Sequence, residues 1–284
     1  MLVTHFTDPA CPFAFSAEPM RLQLEWHYGD QLEWRTVLVG LHSKVEEMEA
    51  KGFDTAKLAG FARIIQAKHG MPIDVSERER LAVSMPACRA AVAVRLHRPE
   101  LAELMLRALR VRTFAGELLD EPATIEGAAM DAGIDPTDLA SWSAEPATEA
   151  ALQDDMRAAR TPLPAALVLD HKLADAGGSD GGRRYTCPSF EFTGTQGVTF
   201  AAPGMQPWET YDVLVANAAP DIRRRAVASD VFEVLEWAPY PLATVEVAAL
   251  LGTSIEDARE QLTGAASFEP VGEDGYWSLQ PVTA

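Results

Sequence analysis

The chain has 284 residues but only three cysteines, Cys11, Cys88 and Cys187. A sparse, odd set of this kind argues against a structural disulfide framework. No cluster of His and Cys stands at zinc-ligand spacing, so no structural metal is expected. No apolar run approaches bilayer length. The first residues, Met1-Leu2-Val3-Thr4-His5-Phe6, lack the basic stretch and long apolar core of a secretory signal, and the expected location is cytoplasmic. Basic residues are scarce as well: 24 Lys and Arg stand against 42 Asp and Glu, for a formal charge of -18. That balance opposes phosphate backbones and anionic membrane surfaces, so neither nucleic acid nor membrane is an expected partner. The one local basic run, Arg223-Arg224-Arg225, reads as a solvated helix face.

What is present describes a globular α/β protein: 48% of residues are hydrophobic and 23% charged. Leu2–Phe6 is short and β-prone, and Asp8-Pro9 breaks it. A helix is predicted from about Pro12 to His27, with Phe15, Met20, Leu22, Leu24 and Trp26 at helical spacing. Pro12 suits its first position, and Pro19 should kink it. Leu32–Val39 is a second strand, completing a βαβ unit with a parallel pair. Residues 45–156 read as nearly all helical, punctuated by Pro86, Pro99, Pro122 and Pro136 near helix starts. Such a stretch between strands is expected as a helical insertion packed against one end of the sheet. Gly177–Gly182 reads as a flexible loop, Tyr185–Phe192 as a strand and Val198–Ala201 as its hairpin return. Pro207 opens another helix. The last segment gives helices over 231–235 and 242–251, a third capped by Ser254, and a closing strand at 275–279. Three helices and a small β-wing read as winged-helix-like, and at about 60 residues such a unit is expected to pack on the rest.

The chemistry centres on Asp8-Pro9-Ala10-Cys11-Pro12-Phe13-Ala14-Phe15. Cys11 falls where a strand ends and a helix begins, where unpaired N–H groups and the helix dipole favour an anion. A thiol there is expected to ionise more readily than the usual value of about 8.5. A buried, inert cysteine is the alternative that the local sequence leaves open. Cys88 lies in an apolar helical stripe and reads as core.

The order strand, Asp8-Pro9-Ala10-Cys11-Pro12-Phe13, long helix, strand, helical insertion and β-hairpin resembles the DsbA-like family of thioredoxin-fold proteins, including its FrnE-like branch. The resemblance spans residues 1–219. Ser84–Ala91 and Ile125–Asp135 are similar to stretches of that family. Thr186-Cys187-Pro188-Ser189-Phe190-Glu191 resembles its cis-proline strand, and Ala202–Pro207 the turn before its last helix. The resemblance implies a thioredoxin fold with a large helical insertion, divided as residues 1–42, 43–156 and 157–222, with the winged-helix-like unit over 223–284. It also implies Cys11 as nucleophile, followed by Pro12, and a cis bond at Pro188.

The family's motif is Cys-x-x-Cys, and here Ala14 occupies the second cysteine position. A dithiol oxidant needs a second thiol to resolve its mixed disulfide. In the thioredoxin fold the residue before the cis-proline faces the nucleophile, and here that residue is Cys187. The resemblance therefore implies that Cys11 and Cys187 lie close enough to pair under oxidation. Two functions follow from different classes. One is a thiol-dependent oxidoreductase, or a thiol-dependent reductase or isomerase, using Cys11. It would hold no tight cofactor and take a low-molecular-weight thiol, glutathione or mycothiol, as co-substrate against a small thiol or electrophile. The other is a non-catalytic binding or regulatory module. The acidic C-terminal unit is expected to serve as a dimerisation or lid element, a homodimer being left open, and not as a reader of DNA.

Overall fold

The computed structural model describes residues 1–177 and 182–280. Most of the expected glycine-rich loop, residues 178–181, lies outside them. Strand β1 (Leu2–Thr7) leads into helices α1 (Pro12–Ser16) and α2 (Glu18–Tyr28), and strand β2 (Glu33–Leu38) follows. Next come α3 (Val45–Ala50), α4 (Thr55–His69), α5 (Met85–His97), α6 (Ala102–Phe114), α7 (Pro122–Asp131), α8 (Pro136–Ser143) and α9 (Pro146–Ala159). The chain returns through α10 (Pro164–Leu167), β3 (Leu173–Asp175), β4 (Arg183–Tyr185), β5 (Ser189–Thr193), β6 (Thr199–Ala202) and α11 (Trp208–Ala218). It ends in α12 (Val231–Trp237), β7 (Leu242–Ala243), α13 (Thr244–Leu251), α14 (Ile255–Leu262), β8 (Ala266–Val271) and β9 (Asp274–Leu279). Among the described residues no helix is long and apolar enough to cross a membrane.

The central sheet has the order β2-β1-β5-β6. The pair β1–β2 is parallel, with Phe6 opposite Val37, and β1–β5 and β5–β6 are antiparallel. Nearly every residue of β1 is buried because both faces of the sheet are covered. On one face Val3, Phe190 and Phe192 pack with Leu24 and Tyr28 of α2 and with Tyr211 and Val215 of α11. On the other, Phe6, Val37 and Val39 pack with Ala14, Ala159, Tyr185 and both Cys11 and Cys187.

Several expectations are corrected. The predicted single helix over 12–27 is two helices that meet at Ala17, because Pro19 fits the first turn of a new helix better than the interior of an old one. Residues 70–84 carry no helix or strand although 45–156 read as nearly all helical; Gly70, at φ +78°, ends α4 in the left-handed conformation. The insertion packs not only at the end of the sheet but also along its edge. Asp155 of α9 accepts from the Leu38 amide at 3.0 Å, and Arg95 of α5 donates to the Thr36 carbonyl. These side chains satisfy the outer backbone groups of β2, which an edge strand otherwise leaves open. The strand expected over 185–192 is broken at Pro188, β4 pairing with β3 in a separate two-stranded sheet.

Arg223–Arg225 is not on a helix. The segment runs back along α2: the Arg225 amide donates to the His27 carbonyl at 2.7 Å, Trp26 Nε1 donates to the Ala226 carbonyl, and the Arg225 guanidinium lies 3.5 Å above the Trp26 ring. The C-terminal residues then dock on the same helix, with Leu22 and Trp26 buried among Val231, Val234, Val247, Leu250 and Trp277. Each such side chain taken from water contributes about 1.5–3 kcal/mol. The helix expected over 242–251 starts late. Leu242 pairs with Trp277 as strand β7, and Glu246 reaches back to accept from the Ala243 amide, capping α13 from there.

Candidate active site

The segment between β1 and α1 is shaped by Asp8, whose carboxylate is fully buried. One oxygen accepts from the Ala10 amide at 2.9 Å. The other accepts from the Leu41 amide at 2.8 Å, Ser84 Oγ at 3.1 Å and Cys88 Sγ at 3.5 Å. One side chain thus ties the turn before Cys11 to the exit of β2 and to the start of α5. A buried carboxylate without such donors would cost several kcal/mol. Gly40, at φ +64°, shapes that exit; a side chain there would also press on the sulfurs of Met85 and Met156. In the sequence Asp8 reads only as a strand breaker, and nothing local marks it for this role. Cys88 is core as expected, fully buried, and its thiol is pushed up by burial and by Asp8.

Cys11 is the N-cap of α1, with Pro12 in the first turn. Its Sγ donates to the Cys187 carbonyl at 3.3 Å. The Cys187–Pro188 peptide bond is cis. All three cysteines are free thiols. Cys11 and Cys187 are 7% exposed each, so the pair is almost withdrawn from water. The Cys187 side chain is the main influence that holds the Cys11 thiol below its ordinary value. Burial opposes this shift, the amides of Ala14 and Phe13 assist it, and Asp8 also opposes it. The neighbouring thiol therefore outweighs the helix end, and neither amide makes a capping hydrogen bond to the sulfur. With α1 only five residues long, that is the expected ranking. Cys187 moves the other way, raised by burial, by Cys11 and by Asp8. The two thiols are thus shifted in opposite directions, Cys11 down and Cys187 up.

Cys11 and Pro12 open onto a cleft of about 380 Å³. Phe13, Phe53, Phe61 and Leu118 supply an apolar wall, and His42, Lys51 and Arg184 are polar members of the lining. Burial, Lys51 and Arg184 keep His42 below its ordinary value against the pull of Asp8, so it is neutral at pH 7. Pro188 and Cys187 do not line this cleft. A larger cavity of about 730 Å³ lies away from the cysteines, between α6 and the C-terminal unit. Among the described residues no group of three or more His, Cys, Asp or Glu side chains is arranged to hold a metal ion. His42, Lys51 and Arg184 carry no sequence pattern that marks them, since they come from three separate segments.

Solved structures share this architecture. A protein of Nitrosomonas europaea assigned as a protein disulfide isomerase superposes with a TM-score of 0.57 at 16% identity, covering 76% of this chain and 96% of its own. An assigned DsbA oxidoreductase of Streptomyces coelicolor gives 0.54 at 18%, covering 81% and 94%. The fold is a DsbA-like thioredoxin fold. The cytosolic disulfide reductase DsbM of Pseudomonas aeruginosa, solved with GSH, gives 0.50 at 17%, covering 76% and 93%. No protein-family model matches the chain, and no curated protein sequence does. Ala14, three residues after Cys11, is fully buried in the same core cluster.

Proposed function

We propose that this protein is a cytoplasmic thiol–disulfide oxidoreductase in which Cys11 is the nucleophile and Cys187 its resolving thiol. The observation that supports the reading is the hydrogen-bonded pair itself, with Cys11 shifted down and Cys187 shifted up. The Cys11 thiolate attacks one sulfur of a substrate disulfide; that S–S bond breaks, and one half leaves as a thiolate that takes a proton from water. Cys187 then gives up its proton and attacks the Cys11 sulfur. A Cys11–Cys187 disulfide forms, the second half leaves as a thiol, and the substrate has gained the two electrons that the protein has lost. Two molecules of a small thiol, glutathione or mycothiol, reset the pair and depart as their own disulfide. The GSH of the DsbM structure and that protein's cytosolic description favour this class of co-substrate and this location.

In this reading Pro12 and Pro188 flank the reacting sulfurs. Residues 1–42 and 157–222 form the thioredoxin-like domain, 43–156 the insertion and 223–284 a winged-helix-like unit that packs on α2. The acidic surface of that unit suits a structural or lid role and not nucleic-acid binding. Titrating the reduced protein with oxidised glutathione tests the function. Loss of two thiols per chain, with peptide mapping that joins residue 11 to residue 187, is the expected result. A stable glutathione adduct on Cys11 with Cys187 still free would remove Cys187 from the mechanism.

A further inference from the structure

The cleft at Cys11 has a charge balance opposite to that of the chain. Its lining carries Lys51, Arg78, Arg80 and Arg184 against Asp74 and Glu117, on a protein of formal charge -18. The larger cavity differs: its lining sets Arg107 and Arg112 against Glu117, Asp131 and Glu269. The cation excess therefore belongs to the Cys11 cleft and not to cavities of this protein in general.

Most of the cleft's charges are already neutralised. Arg78 pairs with Asp74 at 3.3 Å, Arg80 with Asp120 at 2.8 Å and with Glu121, and Glu117 is held by Arg112 at 3.0 Å. Lys51 and Arg184 remain. Arg184 donates one nitrogen to the Tyr185 carbonyl at 2.9 Å, and no ion pair among the described residues involves either cation. Both act on His42, which is neutral and offers a polar edge without adding charge, and Arg184 also acts on Cys187. The unpaired positive charge of the cleft is thus carried by Lys51 and Arg184, which share the neighbourhood of His42, while Phe13, Phe53, Phe61 and Leu118 form its apolar wall. Low-dielectric walls beside like charges focus their field into the opening.

We propose that Lys51 and Arg184 form an anion subsite for the carboxylate of a small thiol or disulfide whose sulfur meets Cys11. This rests on the reading of Cys11 as nucleophile and narrows its partner. It separates the two co-substrates named above, because glutathione carries carboxylates and mycothiol carries none.

The test measures how fast the reduced protein reacts with two probes, oxidised glutathione and the uncharged 2-hydroxyethyl disulfide. The ratio of the two rates cancels any change in the thiolate population of Cys11. In the Lys51→Gln/Arg184→Gln protein the ratio is expected to fall about tenfold, with the neutral probe little affected. Lys51→Arg/Arg184→Lys should restore most of it, and added salt should lower it in the unaltered protein. An unchanged ratio, with the neutral probe still reacting through Cys11, overturns the subsite and leaves the thiol chemistry intact. Failure of both probes to react with the unaltered protein overturns the thiol chemistry and the subsite together.

Discussion

Arg107 of α6 and Glu246 of α13 form a two-pronged ion pair in which both side chains are nearly or fully withdrawn from water. The Arg107 guanidinium also lies 4.8 Å from the centre of the Tyr240 ring and 5.5 Å from that of Tyr276. The Glu246 carboxylate accepts from the Ala243 amide as well, so one residue caps α13 and fastens the C-terminal unit to the helical insertion. Next to this pair, Glu18 of α2 binds Arg21 and Arg110, and Arg110 donates to Thr7 just before the Cys11 turn. A continuous buried polar network therefore runs from the C-terminal unit to β1.

Breaking one half of the Arg107–Glu246 pair leaves a buried charge without its partner. Glu246→Ala is expected to lower stability by about 3–5 kcal/mol, read from urea unfolding. Replacing both residues by apolar ones, Arg107→Met with Glu246→Leu, should recover a large part of that loss. A double variant no better than the single one would mean that the cap on α13, and not the buried charge, sets the cost.

The shift of Cys11 is assigned first to the Cys187 thiol. Cys187→Ala removes that side-chain influence, so the Cys11 thiol should titrate higher and its thiolate fraction at pH 7 should fall. Alkylation by iodoacetamide at pH 7 is expected to slow about 3- to 10-fold, with the plateau at high pH unchanged. Cys11→Ser should abolish the fast phase altogether, because burial raises both other thiols. A pH profile of Cys11 that does not move in Cys187→Ala would transfer the shift to the local amides.

Glu18 gives a pH dependence with a definite sign. Burial raises its carboxyl, but Arg21, Arg110 and Arg107 more than offset this and hold it at about 2, against 4.5 for an ordinary glutamate. A group depressed in the folded state contributes stability that is complete above the unfolded value, here pH 4.5, and is lost as pH falls through about 2. The contribution is roughly 3 kcal/mol. His5, held below its ordinary value by burial and by Arg110, adds a loss that begins as pH falls below 6.5. Stability of Glu18→Gln measured by denaturant should therefore be lower near neutrality and flatter than that of the unaltered protein between pH 4.5 and 2.5. Parallel curves over that range would show that Glu18 is not the group being protonated.

Sequence alone determined the βαβ start, the helical insertion with prolines at its helix starts, and the place of Cys11 between a strand and a helix. These features are local: apolar spacing, proline at a first turn and a thiol after Asp-Pro are written in consecutive residues. Ala14, three residues after Cys11, is equally plain in the sequence. What the thiol meets follows from no local pattern of residues and is brought about by the tertiary structure. Cys187 is 176 positions away and contacts Cys11 because β5 pairs with β1. Asp8 gathers donors from residues 10, 41, 84 and 88, and no spacing rule links those positions. The break at Ala17 is written locally, in Pro19, whereas the strand at Leu242 and Ala243 is beyond local reading. There the helix gives way to pairing with Trp277 and Tyr276 from elsewhere in the chain, and burial against that partner outweighs the continuity that propensity favours.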